Sequence, residues 1–203
     1  MSFALVLLNG EAPSLALVQR FWDNADFRIA ADGGANPILA LGLKPDLILG
    51  DLDSLEKAPA GVEIKKIESQ NNTDGEKALE EVSRRGFKKA VLLGALGGRA
   101  DMYLYNLSLP LKFPHLALTF YTEQERIFLA PKTCLIEGPV GARVSLLPLG
   151  EGVEGVTSQG LEWPLIDHTL SVHAFMSISN QIKAPNAQVR HKSGNLLIFV
   201  EEI

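Results

Sequence analysis

The chain has a single cysteine, Cys134, among 203 residues. An intrachain disulfide is excluded, and a reducing compartment fits this usage. Basic residues are also short: 19 Lys and Arg against 24 Asp and Glu give a net charge of −5 and a pI near 5.4. That balance argues against a general nucleic-acid surface, and an anionic substrate then needs a local cation or a metal. No apolar run approaches the ~18 residues that a membrane span requires. The opening Met1-Ser2-Phe3-Ala4-Leu5-Val6-Leu7-Leu8 lacks a basic lead and soon meets Asn9-Gly10-Glu11. It reads as a first strand rather than a signal peptide, and a cytoplasmic protein is expected. The four histidines, at 115, 168, 173 and 191, have no metal-ligand spacing. Neither a Walker loop nor a Gly-x-Gly-x-x-Gly fingerprint is present, and there is no internal repeat or low-complexity linker.

What the chain does have is carboxylates at the ends of apolar runs. Leu47-Ile48-Leu49 reads as a buried strand and delivers Gly50-Asp51-Leu52-Asp53-Ser54. Asp-x-Asp-Ser is also a common turn sequence, because Asp and Ser bond their own backbone. Two carboxylates about 4 Å apart repel by roughly 4 kcal/mol at an effective dielectric near 20. Magnesium, which takes oxygen ligands and substrate phosphates, removes that repulsion. An earlier run, Phe27 to Ala31, ends in Asp32-Gly33-Gly34-Ala35-Asn36, where the glycines let backbone approach a ligand closely. A short helix over 37–41 follows, stopped by Gly42.

The same alternation continues. Ser14 is placed to cap a first helix, whose Leu15, Val18, Phe21 and Trp22 share one apolar face, so Trp22 reads as core. After a strand over 62–67, Thr73-Asp74-Gly75-Glu76 has the capping-box pattern, with Ala78, Leu79 and Val82 as the apolar face. Asp74 suits the helix dipole and Lys77 suits an ion pair with Glu81, so both have structural readings. Strand 90–93 runs into Gly94-Ala95-Leu96-Gly97-Gly98-Arg99-Ala100-Asp101. There Arg99 offers a planar fork for phosphate oxygens, while Asp101 is placed to cap a helix over 102–109. This order of strands and helices predicts a doubly wound α/β domain over 1–123 with a mainly parallel sheet. Its ligand edge then carries Asp32, Asp51, Asp53, Asp74 and Asp101, a polyanionic cleft that calls for a cation.

From 124 to 203 no long helical period is found. Short strand-like runs at 126–129, 133–137, 143–148, 152–157, 170–172, 188–191 and 196–200 are separated by Gly and Pro, which predicts a β-sandwich-like domain. Trp163, in Gly160-Leu161-Glu162-Trp163-Pro164-Leu165, reads equally as sandwich core or as a functional aromatic. Ser177, Ser179 and Asn180 read as a turn.

Taken together and in order, these blocks resemble the thiamin pyrophosphokinase family over nearly the whole chain. The resemblance rests on Ala31–Asn36, Pro45–Ser54, Thr73–Leu79, Gly94–Asp101, Gly160–Leu165 and Ser177–Asn180. It implies magnesium-dependent transfer of diphosphate from ATP to the hydroxyl of thiamin, giving thiamin diphosphate and AMP, by a homodimer with thiamin near the subunit interface. By position, Asp51, Asp53 and Asp74 are implied to hold magnesium and, with Arg99, to carry catalysis. Asp32, Gly33, Gln70, Thr73, Lys77, Arg99 and Asp101 are implied to surround the nucleotide. Trp163 is implied to stack on thiamin, with Ser179 and Asn180 nearby. The chain departs from the family at Met102, where His or Gln is usual and a thioether stands instead. Two rival readings remain at this stage: another magnesium-dependent Asp-x-Asp transferase, and a non-catalytic binder of thiamin or nucleotide.

Overall fold

The computed structural model describes residues 2–69 and 71–202, and the chain divides into two compact units between Glu123 and Gln124. Gln70 lies outside the described residues.

The first unit runs β1 (Ala4–Leu7), α1 (Leu15–Trp22), β2 (Phe27–Ala31), a 3-10 turn (Asp32–Gly34), α2 (Ala35–Ala40), β3 (Leu47–Gly50) and β4 (Glu63–Lys66). It continues with α3 (Asp74–Arg84), β5 (Lys89–Leu93), α4 (Ala100–Lys112) and β6 (Ala117–Tyr121). The sheet order is β4-β3-β2-β1-β5-β6, with every pair parallel. A parallel sheet covered by helices buries both faces, which is why its central strands are continuous apolar runs. Val6 pairs with Ile29 on one side and Leu92 on the other, and all three are fully buried. Trp22 is in the core, with the Arg28 guanidinium 5.4 Å from its ring. Strand β4 is the opposite case: Glu63, Lys65 and Lys66 are exposed on an edge, where charge discourages strand addition.

Local sequence sets the helix starts. Ser14 Oγ accepts from Leu17 N at 3.2 Å, and Glu123 holds Ser14 N at 2.8 Å. The capping box before α3 is complete: Thr73 Oγ1 accepts from Glu76 N and Glu76 Oε2 from Thr73 N. Burial pushes the Glu76 carboxyl up, but hydrogen bonds from Lys112 and the Thr73 amide outweigh it and hold it below its ordinary value. At α4 the expectation fails. The helix begins at Ala100 with Arg99 at the cap position, so Asp101 lies inside the first turn and caps nothing from outside. Its carboxylate bonds Arg99 and Met102 N instead.

The second unit holds β7 (Glu125–Leu129), β8 (Thr133–Leu135), β9 (Arg143–Pro148), β10 (Val153–Gln159), β11 (His168–Leu170), β12 (Ser177–Gln181), β13 (Gln188–Arg190) and β14 (Leu196–Glu201). Two antiparallel sheets, β12-β9-β14-β7 and β11-β10-β13-β8, close on one core that includes Val144, Leu146, Val156, Val189 and Ile198. Alternation is clean in β9, where Val144, Leu146 and Pro148 are buried and Arg143 is exposed. The turn expected at Ser177–Asn180 is a strand. Its pairing with β9 slips between Ser177↔Leu146 and Asn180↔Val144, and Ser179 sits in the slip with φ +58°. That bulge gives the polar run its turn-like appearance. Strand β11 also falls earlier than expected, at His168–Leu170 rather than 170–172.

Candidate functional site

The carboxyl ends of β1, β2, β3 and β5 surround a cavity of about 360 Å³ with the starts of α3 and α4. Ligands of open α/β sheets collect at this edge, where the strand order reverses between neighbours β1 and β5. Asp32, Asp51, Asp53, Asp74, Arg99 and Met102 all line it.

Three of the carboxylates converge. Asp32, Asp51 and Asp74 each offer an oxygen within 4.8 Å of the others. Asp32 leaves β2 with φ +47° and is 5% exposed, and its Oδ1 accepts from Ser54 N at 3.3 Å. Such backbone strain in a non-glycine residue costs about 1–3 kcal/mol and persists only where the surroundings enforce it. Gly50 permits the convergence. A Cβ there would lie 2.9 Å from Asp32 Cβ and 3.3 Å from Asp74 Oδ1, and its φ is +142°. Leu52, between the two acids that follow β3, is also forced to φ +66°. Asp74 at the start of α3 is braced by Lys77, whose buried Nζ donates to its Oδ1 at 2.9 Å. A hard, all-oxygen donor set of this kind fits magnesium.

The remaining residues singled out from the sequence fall around this trio. Asp53 lines the same cavity but stands outside the trio, its Oδ1 accepting from Ser54 Oγ at 2.9 Å. Gly33 is buried against the Asn9 side chain, and a Cβ there would lie 2.4 Å from Asn9 Nδ2. Thr73 and Lys77 serve the start of α3. Arg99 reaches the cavity rim, while Asp101 does not line it and pairs with Arg99 through Nε at 3.1 Å and Nη2 at 2.6 Å. The Arg99 bond, then the Met102 amide, hold the Asp101 carboxyl below its ordinary value. The polyanionic edge expected from five acids is therefore four acids at the cavity and a fifth neutralised by a cation two residues away.

Sequence reasoning did not single out two asparagines at this cavity. Asn9 follows β1. Asn106, one helical turn beyond Met102, is 5% exposed and donates from Nδ2 to Ala95 O at 2.6 Å, tying α4 to the glycine-rich loop. Its Oδ1 is buried with no partner. The i, i+4 spacing from Met102 was the available signal.

In the second unit, Trp163 is 59% exposed, which rules out the core reading. With His168, Phe175, Met176 and Ile178 it lines a hollow of about 360 Å³. Asn180, buried to 2% exposure, clamps the Trp163 backbone from both sides: Oδ1 accepts from Trp163 N at 3.1 Å and Nδ2 donates to Trp163 O at 2.7 Å. Ser179 is exposed in the bulge, its amide donating to Ser145 Oγ at 3.0 Å, and does not line the hollow. Phe175 and His168 carried no sequence signal, and their rings sit 5.6 Å apart.

Comparison with known proteins agrees with both units. Residues 18–122 match the family model for the thiamin pyrophosphokinase catalytic domain, and residues 133–196 match that for its vitamin B1 binding domain. Thiamine pyrophosphokinase 3 of Oryza sativa subsp. japonica is 31% identical over 234 residues, spanning 98% of this chain and 86% of its own. Thiamine pyrophosphokinase 1 of the same plant is 29% identical, spanning 95% and 84%. Among solved structures, thiamine pyrophosphokinase from Bacillus subtilis superposes with a TM-score of 0.86 at 21% identity over 100% of both chains. The yeast thiamin pyrophosphokinase structure gives 0.85 at 23%, over 98% of this chain and 86% of its own. At these identities the structural likeness speaks for the fold.

Proposed function

The chain belongs to the thiamin pyrophosphokinase family, and we propose that it transfers the terminal diphosphate of ATP to the hydroxyl of thiamin with magnesium held at its acidic trio. It is a thiamin diphosphokinase, forming thiamin diphosphate from thiamin. The observation that carries the metal-dependent reading is the approach of Asp32, Asp51 and Asp74 within 4.8 Å at the ligand edge of the sheet. Asp53 lines the same cavity and would be available to hold a metal-bound water.

A magnesium ion there supplies charge neutralisation and a template for the phosphate oxygens. The chain's own groups do the rest by position and charge. Lys77 braces Asp74 from within the fold, so the carboxylate meets the ligand already oriented. Arg99, restrained by Asp101 at the cavity rim, offers its guanidinium to the transferred phosphates. Asn106 holds the loop through Ala95 O, so its glycines can bring backbone close to the phosphates. The thiamin oxygen attacks the β-phosphorus in line, its proton passes to solvent, and the bond from that phosphorus to the oxygen bridging to the α-phosphorus breaks. AMP departs with that oxygen. Thiamin is a cation, and the exposed Trp163 face, held by Asn180, suits its aromatic ring. A homodimer in the cytoplasm completes the proposal.

The test is direct. The purified protein is incubated with ATP, thiamin and magnesium, and AMP and thiamin diphosphate are measured. Stoichiometric appearance of both, abolished by EDTA and restored by magnesium, is expected. ADP in place of AMP, or turnover that survives EDTA, overturns the diphosphate or the metal step respectively. Sedimentation at micromolar protein reports the dimer.

A further inference from the structure

The sheet β11-β10-β13-β8 has a polar hollow of about 460 Å³ that shares no lining residue with the catalytic cavity or the Trp163 hollow. We propose that this face is a binding site for a small anion bearing phosphate or diphosphate, separate from the catalytic cavity and from the Trp163 hollow. The proposal stands on unit-two geometry alone and does not depend on the catalytic reading.

Strand register builds the site. Thr157 of β10 pairs with Arg190 of β13, and Arg190 pairs with Thr133 of β8. The three form one cross-strand row on the face opposite the buried Cys134, Val156 and Val189. Neighbouring strands lie about 4.8 Å apart, so a guanidinium stands between two hydroxyls at adjacent-strand spacing. That is a donor set without a built-in acceptor charge, suited to a planar fork on phosphate oxygens. The Arg190 guanidinium makes no hydrogen bond or close ion pair among the described residues, and it feels the Asp167 carboxylate at longer range.

The flanks add positive charge by arrangement. Lys132 Nζ is held at the rim by Gly194 O at 3.3 Å, and Lys192 Nζ by Asp167 Oδ1 at 2.7 Å. The stem of Lys192 lies directly on Gly155, where a Cβ would come within 2.5 Å of its Cγ and Cδ. Only glycine leaves room for that course, and Gly155 has φ +67°. Asp167, paired with Lys192 and also facing Arg190, is the one carboxylate against three cations, so the hollow is net positive on a chain whose total is −5. Thr157 Oγ1 already accepts from Asp167 N at 3.1 Å, so its own hydroxyl proton is free to donate. His191 also lines the hollow. It is 6% exposed, its Nδ1 meets Ser193 O at 3.2 Å, and its Nε2 is buried without a partner. With Nδ1 donating to the Ser193 carbonyl, Nε2 of a neutral ring is an acceptor, so the anion is held by Arg190, the lysines and the threonine hydroxyls rather than by this ring.

The experiment is a 1H–15N NMR titration of the full chain with inorganic diphosphate, without magnesium and at constant ionic strength. Without the metal, the four carboxylates of the catalytic cavity repel the probe, so its own amides serve as the control. Saturable shifts are expected at the amides of Thr133, Thr157, Arg190 and Lys192. Arg190→Gln should weaken the apparent affinity about tenfold, one decade in Kd, with the melting temperature unmoved, since the side chain is exposed. Thr157→Val should weaken it less. A parallel titration with thiamin diphosphate separates the sources: equal affinity means that the free anion suffices, and tighter binding means that the reaction product is recognised. Linear, non-saturating shifts, or shifts identical in Arg190→Gln, mean an adventitious ion only and overturn the site. Shifts that follow protein concentration instead of diphosphate assign the face to a second copy of the chain and overturn it equally.

Discussion

The two units handle polar groups in opposite ways. In the first, charge is drawn inward: Asp32, Lys77, Glu76 and Glu81 are all buried, and each is held by a named partner. In the second, the functional candidates sit outside the fold. Trp163 and Arg190 are exposed, and the buried polar groups, Asn180 above all, act on backbone. A parallel sheet ends its strands in loops that point the same way, so its polar cavity is enclosed by construction. An antiparallel sandwich presents side chains on its outer faces, so its sites are shallow and depend on which side chains share a row. Mutations should therefore separate by unit: chemistry and acid sensitivity in the first, recognition in the second.

The largest expected effect tests the enclosed site. Asp51→Asn keeps shape and removes one charge of the trio. It should lower kcat at least about a thousandfold, near 4 kcal/mol of transition-state stabilisation, with the melting temperature kept or raised because repulsion is relieved. Kinetics and calorimetry on one preparation check this. A near-wild-type rate would remove Asp51 from the metal proposal and dissolve the contrast between the units.

The next tests whether the first unit's buried charge also governs acid stability. Hydrogen bonds from Arg84 dominate at Glu81, with Arg85 and Lys65 adding to them, and together they hold its carboxyl far below the ordinary 4.5 despite burial. A carboxyl depressed in the folded state stabilises the fold above its unfolded pKa, and this is lost as pH falls below about 4.5. Glu81→Gln should cost about 2 kcal/mol at neutral pH, discounted for the exposure of Lys65 and Arg84. It should also flatten the acid limb of the stability profile. Urea melts from pH 7 down to pH 3 report both. An unchanged acid limb would mean that other carboxylates set it.

What could be read ahead of the structure divides along the same line. Strands β2, β3 and β5 of the first unit lead straight into or end on Asp or Gly, and the capping box at Thr73 and Glu76 is a four-residue signal, so both are local and legible. That several acids share an edge also follows from order alone. Which three meet does not. It depends on β2 lying beside β3 and on Gly50 admitting Asp32, both long-range facts. Asp101 looked like a cap because Asp before an apolar stretch does, but Arg99 competes for it and the helix starts earlier. In the second unit β12 was illegible because its bulge puts Ser179 at positive φ in a polar run, and its pairing with β9 is more than thirty residues distant. The Thr157–Arg190–Thr133 row is invisible without register.

Two smaller effects probe the recognition side. Asn180→Ala removes a buried amide and leaves Trp163 N and O without their partner, at about 2 kcal/mol of stability. It should raise the KM for thiamin while that for ATP stays put. Equal changes in both would mean that the clamp supports the fold generally rather than the aromatic face.

Trp163→Ala is the smallest change and the sharpest test. At 59% exposure the indole contributes little to the core, so stability should move by less than about 0.5 kcal/mol. An aromatic face over a thiamin ring is worth about 0.5–2 kcal/mol, which predicts a rise in the KM for thiamin of about tenfold. Phe should recover most of it, because it keeps a ring in the same hollow beside Phe175 and His168. The KM for ATP and the AMP-to-thiamin-diphosphate ratio should be unaffected, since the proposed nucleotide site is in the other unit. If Trp163→Ala instead lowers kcat with both KM values unmoved, the indole acts on the reacting geometry. Recognition and chemistry would then no longer divide between the two units.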